Sequence, residues 1–256
     1  MSPLPRRFAA AAKHPALWLP LLVLGLTTIL FWCTDFDIAV ARLFFSGESG
    51  TTSISSRWPL MRTQPWKSLY DFGVYPALAI GGGGLLVWLA SFIWTRLEPL
   101  RDPGLFLALV LIIGPGILVN GCLKPFWNRP RPHAIQAFNG PRPFLPVLQR
   151  GDGQNDSSFP SGHAAMGFYL MAPAFLLYPQ RRGWALAFLL IGLGSGLIIG
   201  LARIVAGGHF ASDVLWSAAV VYFTALVVAA PFGFGQRSDP GKDDKRAESD
   251  PLVRCG

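Results

Sequence analysis

Three short polar clusters interrupt an otherwise apolar chain, and their residue types suit the transfer of a phosphoryl group. Lys124 is separated by six residues from the pair Arg131-Pro132. Pro160-Ser161-Gly162-His163 offers a hydroxyl and an imidazole at a candidate helix start. Arg203, His209 and Asp213 follow at intervals of six and four. A phosphate monoester carries about two negative charges, so binding it needs fixed cations. Lys124, Arg131 and Arg203 are the candidates, with arginine favoured where oxygens are gripped in pairs. Ser161 and Gly162 would open a helix whose N–H groups and dipole favour the same anion.

The two histidines divide the remaining work. His209 and Asp213, four apart, can share a helix face, where the carboxylate would fix the imidazole tautomer and free the far nitrogen to attack phosphorus. His163 suits the second role, protonating the departing alkoxide and later activating water. Metal ligation is the competing use of two histidines and an aspartate. No further carboxylate or histidine joins the outer clusters, and three cations repel a divalent ion, so neither metal nor cofactor is expected. Arg129 and Arg142 rank behind the others, as loop or headgroup contacts. Each residue alone has a plainer use, since a lysine or arginine at a helix end commonly anchors a span. The joint spacing argues for a site.

The elements that must position these clusters are set by composition. Of 256 residues, 52% are hydrophobic and only 14% charged, too few to clothe a soluble domain. Several apolar runs approach the ~20 residues that cross a bilayer. The expected fold is all-α: a six-transmembrane-helix bundle with an interfacial helix and the active site at the outer membrane–water boundary. The spans run from roughly 16 to 32, 74 to 94, 104 to 122, 161 to 178, 184 to 203 and 209 to 232. No small-x-small cleavage site follows the basic start at Arg6, Arg7 and Lys13, so the first span is read as uncleaved. Residues 1–235 form one integral membrane domain, and the charged stretch 236–256 a disordered cytoplasmic tail.

Between the first two spans, Phe36, Val40 and Leu43 share one face of a short helix, either in the headgroup region or packed on the bundle. Trp58 and Trp66 fit an interfacial belt. Gly81 to Gly84 permit close helix approach, and residues 125–159 read as an ordered loop outside the membrane. Cys33, Cys122 and Cys255 lack metal-ligand spacing. Buried thiols are expected in preference to a Cys33–Cys122 disulfide.

The net charge of +8 lies in short segments between apolar runs, which fits membrane topology and phosphate binding rather than nucleic acid. Three Lys or Arg residues precede the first span, two follow the second, two follow the fourth and five lie beyond Gln236, over half of the 22. The opposite side spreads the rest over far more loop. Both termini are therefore expected in the cytoplasm, with all three clusters facing outward.

The clusters resemble the signature of the type-2 phosphatidic acid phosphatase superfamily: Lys-x6-Arg-Pro, Pro-Ser-Gly-His and Ser-Arg-x5-His-x3-Asp, matched from Lys124 to Asp213. Ala202 stands where the usual serine precedes the arginine, which removes a hydroxyl beside Arg203. The resemblance implies a metal-independent lipid phosphomonoesterase. In it Lys124, Arg131, Ser161, Gly162 and Arg203 hold phosphate, His163 is the acid, His209 the nucleophile that becomes phosphohistidine, and Asp213 its partner. The stretch containing Asp37 and the run from Gly114-Pro-Gly116 through Asn120-Gly121 to Lys124 resemble bacterial lipid A phosphatases. The implied substrate is lipid A or a related envelope lipid, met at the bacterial inner membrane with the site facing the periplasm. Undecaprenyl diphosphate and phosphatidylglycerophosphate phosphatases share the clusters. A vanadium haloperoxidase has a similar site in a soluble protein, which this composition excludes. A lipid- or phosphate-binding transporter would also place cations at helix ends, but has no use for His209 with Asp213. The expected partners are a lipid phosphate and the membrane, and the sequence is silent on oligomeric state.

Overall fold

Apolar runs in lipid can satisfy their backbone only within themselves, as helices. The computed structural model is all-helical over the residues it describes, 15–47, 53–152, 157–178 and 180–232, apart from an isolated bridge between Ile135 and Arg142. The tail 236–256, the basic start and Cys255 lie outside these residues.

Helix α1 is Pro15–Cys33 and α2 is Phe36–Arg42. After a single turn at Ile54–Arg57 come α3, Trp66–Phe72, and α4, Tyr75–Ala90. Helix α5, Arg101–Leu111, continues without a break into π-helical Ile112–Leu123 and a last α turn, Lys124–Trp127. Then follow α6, Gly162–Tyr169; α7, Ala172–Leu177; α8, Arg182–Val205; and α9, Ala211–Phe232. Five helical stretches among the described residues are long and apolar enough to cross a membrane: 16–33, 66–90, 95–134, 182–205 and 211–232. The expected fourth span is the shorter apolar stretch Gly162–Leu177. It is interrupted between α6 and α7, just before Pro173, which has no N–H to continue the ladder.

The core is centred on α6, whose Ala164, Ala165, Phe168 and Tyr169 are buried against α5, α8 and α9. Glycine allows the close crossings. An added Cβ on Gly167 would lie 2.8 Å from Gly196 of α8, and one on Gly84 would lie 2.8 Å from the Gly104 carbonyl. Within Gly81–Gly84, only Gly81 and Gly84 face α5; Gly82 and Gly83 meet nothing within 4 Å. Large apolar side chains, among them Trp18, Leu22, Leu26 and Ile29 on α1 and Leu190 and Leu197 on α8, remain exposed. In water such faces would drive association, and in lipid they are at home.

Helix α2 buries Asp37 and Ala41, while Phe36 and Leu43 of the expected apolar face are exposed and Val40 packs on the core. Trp58 belongs to no exposed belt. It is fully buried, edge-on to Phe45 and Phe138, in a cluster with Ile135 and Phe210 that ties residues 128–152 to the bundle end. Backbone bonds from Arg142 N to Ala134 O (2.9 Å) and from Ser158 N to Arg129 O (2.8 Å) hold the described part of the expected loop. Cys33 and Cys122 are exposed and unpaired, not buried as the sequence suggested.

Candidate active site

The first wall of the site is set by an irregular helix. Pro115 cannot donate a backbone bond, and the ladder around it widens to five-residue steps: Lys124 N–H donates to the Val119 carbonyl. Asn120 Nδ2 reaches the Pro115 carbonyl, also five residues back, at 2.7 Å. Widening of this kind changes the face on which every later residue emerges. Asn120 Oδ1 then lies 2.6 Å from where a Cβ on Gly162 would stand, so only glycine lets α6 start this close.

Ser161 caps α6, its Oγ accepting the Ala164 N–H at 3.4 Å. Its own N–H donates to Ser217 Oγ of α9 at 2.9 Å. Ser217 in turn directs its hydroxyl to the carbonyls of Ser161 (2.9 Å) and Asp213 (2.7 Å), which joins the starts of α6 and α9.

Two glycines shape the turn between α8 and α9. Gly207 has φ +64 and lies flat against Trp58, whose ring would be 2.4 Å from an added Cβ. A Cβ on Gly208 would stand 2.6 Å from Arg203 Nη2. Arg203 is 8% exposed, and its Nε has no hydrogen-bond acceptor among the described residues. Its guanidinium lies 4.4 Å from the ring centroid of Tyr70 on α3. Tyr70 also stacks on His163 at 4.8 Å between centroids and 16° between planes, so one aromatic ring positions both groups. Lys124, Arg131 and Arg203 all lie within electrostatic range of His163, and Lys124 and Arg203 within range of His209. This side of the site is cationic.

His209 is 1% exposed and precedes α9 instead of standing on it. Its Nδ1 is 2.5 Å from the Ser158 carbonyl and 3.8 Å from Asp213 Oδ2. A carbonyl can only accept, so Nδ1 carries the proton and Nε2 the lone pair. The Ser158 backbone therefore sets the tautomer, and Asp213 acts on the ring by charge alone, at a distance beyond hydrogen bonding. Burial lowers the His209 pKa from 6.5 to about 3; Asp213 opposes this and the charges of Arg203 and Lys124 add to it. The imidazole is neutral at ordinary pH.

Behind His209 lies a buried polar network. Arg129, ranked as a loop contact on sequence, is 0% exposed. Its Nη1 donates to Asp213 Oδ1 (2.6 Å) and Ser212 Oγ (2.8 Å), its Nη2 to Asp37 Oδ2 (2.8 Å) and its Nε to the Leu145 carbonyl (2.9 Å). The guanidinium also lies 4.4 Å from the ring centroid of Phe210. Asp213 Oδ2 accepts the Phe210 N–H at 2.7 Å, and Asp37 Oδ1 accepts the Ser212 N–H at 2.9 Å.

The structure thus gathers Lys124, Arg131, Ser161, Gly162, His163, Arg203, His209 and Asp213 at one end of the bundle. Ser161 and His209 form its buried floor, and Lys124, Arg131 and His163 are partly exposed at its rim. Sequence reasoning missed Tyr70, Ser158 and Ser217, and left Asp37, Asn120 and Arg129 without their function. The available signal was Asp37 itself, an aspartate flanked by Phe36 and Ile38, because a buried carboxylate requires a cation.

A neutral, tautomer-fixed imidazole beside a group of cations, at one end of a bundle of membrane-length apolar helices, defines a multi-pass membrane protein with a buried histidine site. The chain belongs to the PAP2 superfamily, whose family model matches residues 104–234, just over half its length. It is 39% identical over 126 residues to the lipid A 4'-phosphatase of Francisella tularensis subsp. novicida, covering 49% of this chain and 56% of that protein. It is 34% identical over 120 residues to the lipid A 4'-phosphatase of Rhizobium leguminosarum, covering 46% and 50%. A lipid A 1-phosphatase of Porphyromonas gingivalis is 39% identical over 71 residues, covering 28% and 15%. The chain spans about half the length of the lipid A 4'-phosphatases it matches. No solved structure matches it.

Proposed function

We propose that this protein hydrolyses a phosphate monoester of lipid A or a closely related envelope lipid, through a phosphohistidine at His209. The observation that carries the proposal is the geometry of His209. A buried neutral imidazole, with Nδ1–H held by the Ser158 carbonyl, keeps its lone pair on Nε2, and the charges of Arg203 and Lys124 reach the ring. Lys124, Arg131 and Arg203 would hold the phosphoryl oxygens, with Arg203 Nε, the Ser161 hydroxyl and the Gly162 N–H at the start of α6 as further donors.

The reaction has two steps. Nε2 of His209 bonds to phosphorus as the bond from phosphorus to the lipid oxygen breaks, and that oxygen takes a proton from His163, which enters the step as an imidazolium once the bound phosphate dianion offsets the surrounding cations. Water then attacks the phosphohistidine, giving its proton to His163 and returning His209 to its neutral form with inorganic phosphate released. Side-chain cations supply the charge stabilisation that a metal gives elsewhere, so turnover proceeds without one. The substrate class is supported by the lipid A phosphatases among the relatives.

In the bilayer, six spans are proposed, with Gly162–Leu177 as the short fourth. Helix α2 lies at the outer boundary, both termini are cytoplasmic, and the site opens to the periplasm of a bacterial inner membrane. The excess of basic residues on the opposite side supports this orientation. The test is phosphate release by the purified protein in detergent with excess chelator. Lipid A, phosphatidic acid, phosphatidylglycerophosphate and undecaprenyl diphosphate are compared at equal surface concentration. Lipid A is expected to turn over fastest. Release from none of them, or only after a divalent ion is restored, overturns the proposal.

A further inference from the structure

Helix α9 begins at Ala211, and the residue before it, Phe210, has no side-chain oxygen to cap the helix. Two carboxylates do that work. Asp213, three residues on, accepts the Phe210 N–H, which is one half of a capping box. The other half comes from a different helix: Asp37 of α2 accepts the Ser212 N–H at 2.9 Å and the Ser212 hydroxyl at 2.5 Å. Arg129 lies between the two carboxylates and bonds to both. Its side chain is 0% exposed, Asp213's is 0% and Asp37's 2%, so bulk water screens none of the three charges.

We propose that Asp37 is a positioning residue for the reaction, setting the net charge behind His209 through Arg129 as well as holding the start of α9. The inference rests on His209 acting as the nucleophile. When Nε2 bonds to phosphorus, Nδ1 keeps its proton and the ring becomes cationic. The nearest carboxylate is Asp213, 3.8 Å from Nδ1, but Arg129 is bonded to its other oxygen at 2.6 Å. Arg129 and Asp213 alone would sum to zero and leave the ring's new charge without a counter-charge. Asp37 brings the buried trio to one net negative charge, formed before the reaction and needing no reorganisation during it. The stabilisation appears only as charge develops, so it acts on the rate of phosphoryl transfer more than on substrate binding.

Asp37→Asn removes the charge while keeping the side-chain shape and an acceptor for the Ser212 N–H. The experiment is a rapid-quench burst of nitrophenolate from p-nitrophenyl phosphate with the full-length protein in detergent. Burst amplitude counts folded, competent sites, and burst rate reports the chemical step. For Asp37→Asn the amplitude is expected to stay near wild type while the rate falls by about tenfold to a hundredfold, with KM changed by less than about threefold. Lost amplitude at an unchanged rate would show a purely structural cap and overturn the proposal, as would a wild-type rate. The second variant pair is Arg129→Met, which leaves two carboxylates facing each other, and Arg129→Met with Asp37→Asn, which restores one net charge. Two facing buried carboxylates repel, so Arg129→Met is expected to lose burst amplitude and the double variant to regain part of it; a double variant with less amplitude than Arg129→Met contradicts charge balance. If His209→Ala gives the same burst as wild type, the nucleophile assignment fails first. A wild-type burst that Asp37→Asn leaves unaltered overturns this inference alone.

Discussion

Gly208→Ala separates what the turn does for the site from what it does for the fold. Gly208 is outside the positive-φ region, so alanine fits the backbone. Its Cβ would meet Arg203 Nη2 at 2.6 Å, where ordinary contact begins at 3.4 Å. The guanidinium must retreat by about 0.8 Å, the difference between the two, and as the far end of a flexible side chain it can do so cheaply. Stability should therefore change by less than about 1 kcal/mol. Catalysis should not be so tolerant, since a misplacement near 1 Å costs on the order of a hundredfold in rate. Gly207→Ala is the counterpart. At φ +64, with the Trp58 ring 2.4 Å from the new Cβ, it carries both left-handed strain and overpacking, together about 2–5 kcal/mol. The assay is thermal unfolding in detergent beside turnover of p-nitrophenyl phosphate. Gly208→Ala is expected to melt like wild type and turn over slowly, and Gly207→Ala to melt early. Wild-type turnover in Gly208→Ala would refute the assignment of Arg203 to the phosphate, and a fully stable Gly207→Ala would refute the packing argument.

Three further outcomes are expected. His163→Ala should lose about tenfold to a thousandfold more activity on a lipid phosphate, whose alkoxide needs a proton, than on p-nitrophenyl phosphate, which hardly does; equal losses would remove His163 from the acid role. His209 titrates near 3 when folded and near 6.5 when unfolded, so between these values the unfolded chain holds the extra proton and stability falls as pH drops. Melting temperature followed from about pH 7.5 to about pH 5 should fall more steeply for wild type than for His209→Gln, and parallel slopes would contradict the buried neutral imidazole. A cysteine replacing Asn139, with Cys33, Cys122 and Cys255 changed to serine, should react with an impermeant thiol reagent in spheroplasts, and one replacing Arg182 should not; the opposite pattern inverts the topology.

The cations and histidines were legible because each cluster is compact in sequence and the side-chain type itself carries the chemistry. The helices were legible from apolar length, with ends displaced by a few residues: α8 starts at Arg182 and α9 at Ala211, after His209. That small displacement changed the chemistry, since a histidine before the helix faces the Ser158 carbonyl instead of the carboxylate four residues on. A backbone carbonyl belongs to every residue type, so no pattern of letters could mark Ser158. Tyr70 was missed because the second apolar stretch begins at Trp66, ahead of the expected start at Val74. Asp37 and Arg129 are 92 positions apart and Asp37 and Ser212 are 175 apart, and local periodicity says nothing at such separations. Trp58 looked interfacial as an aromatic near a span, but its burial follows from the bare Gly207 beneath it.

The central claim is that His209 Nε2 forms a covalent bond to phosphorus. It is tested most directly by quenching the enzyme within its first turnover of 32P-labelled lipid phosphate and mapping the label. Label that is stable to base and labile to acid, located on the peptide carrying His209, present in His163→Ala and absent in His209→Ala, is the predicted result. Label on His163, or release of phosphate at the wild-type rate by His209→Ala, would contradict it.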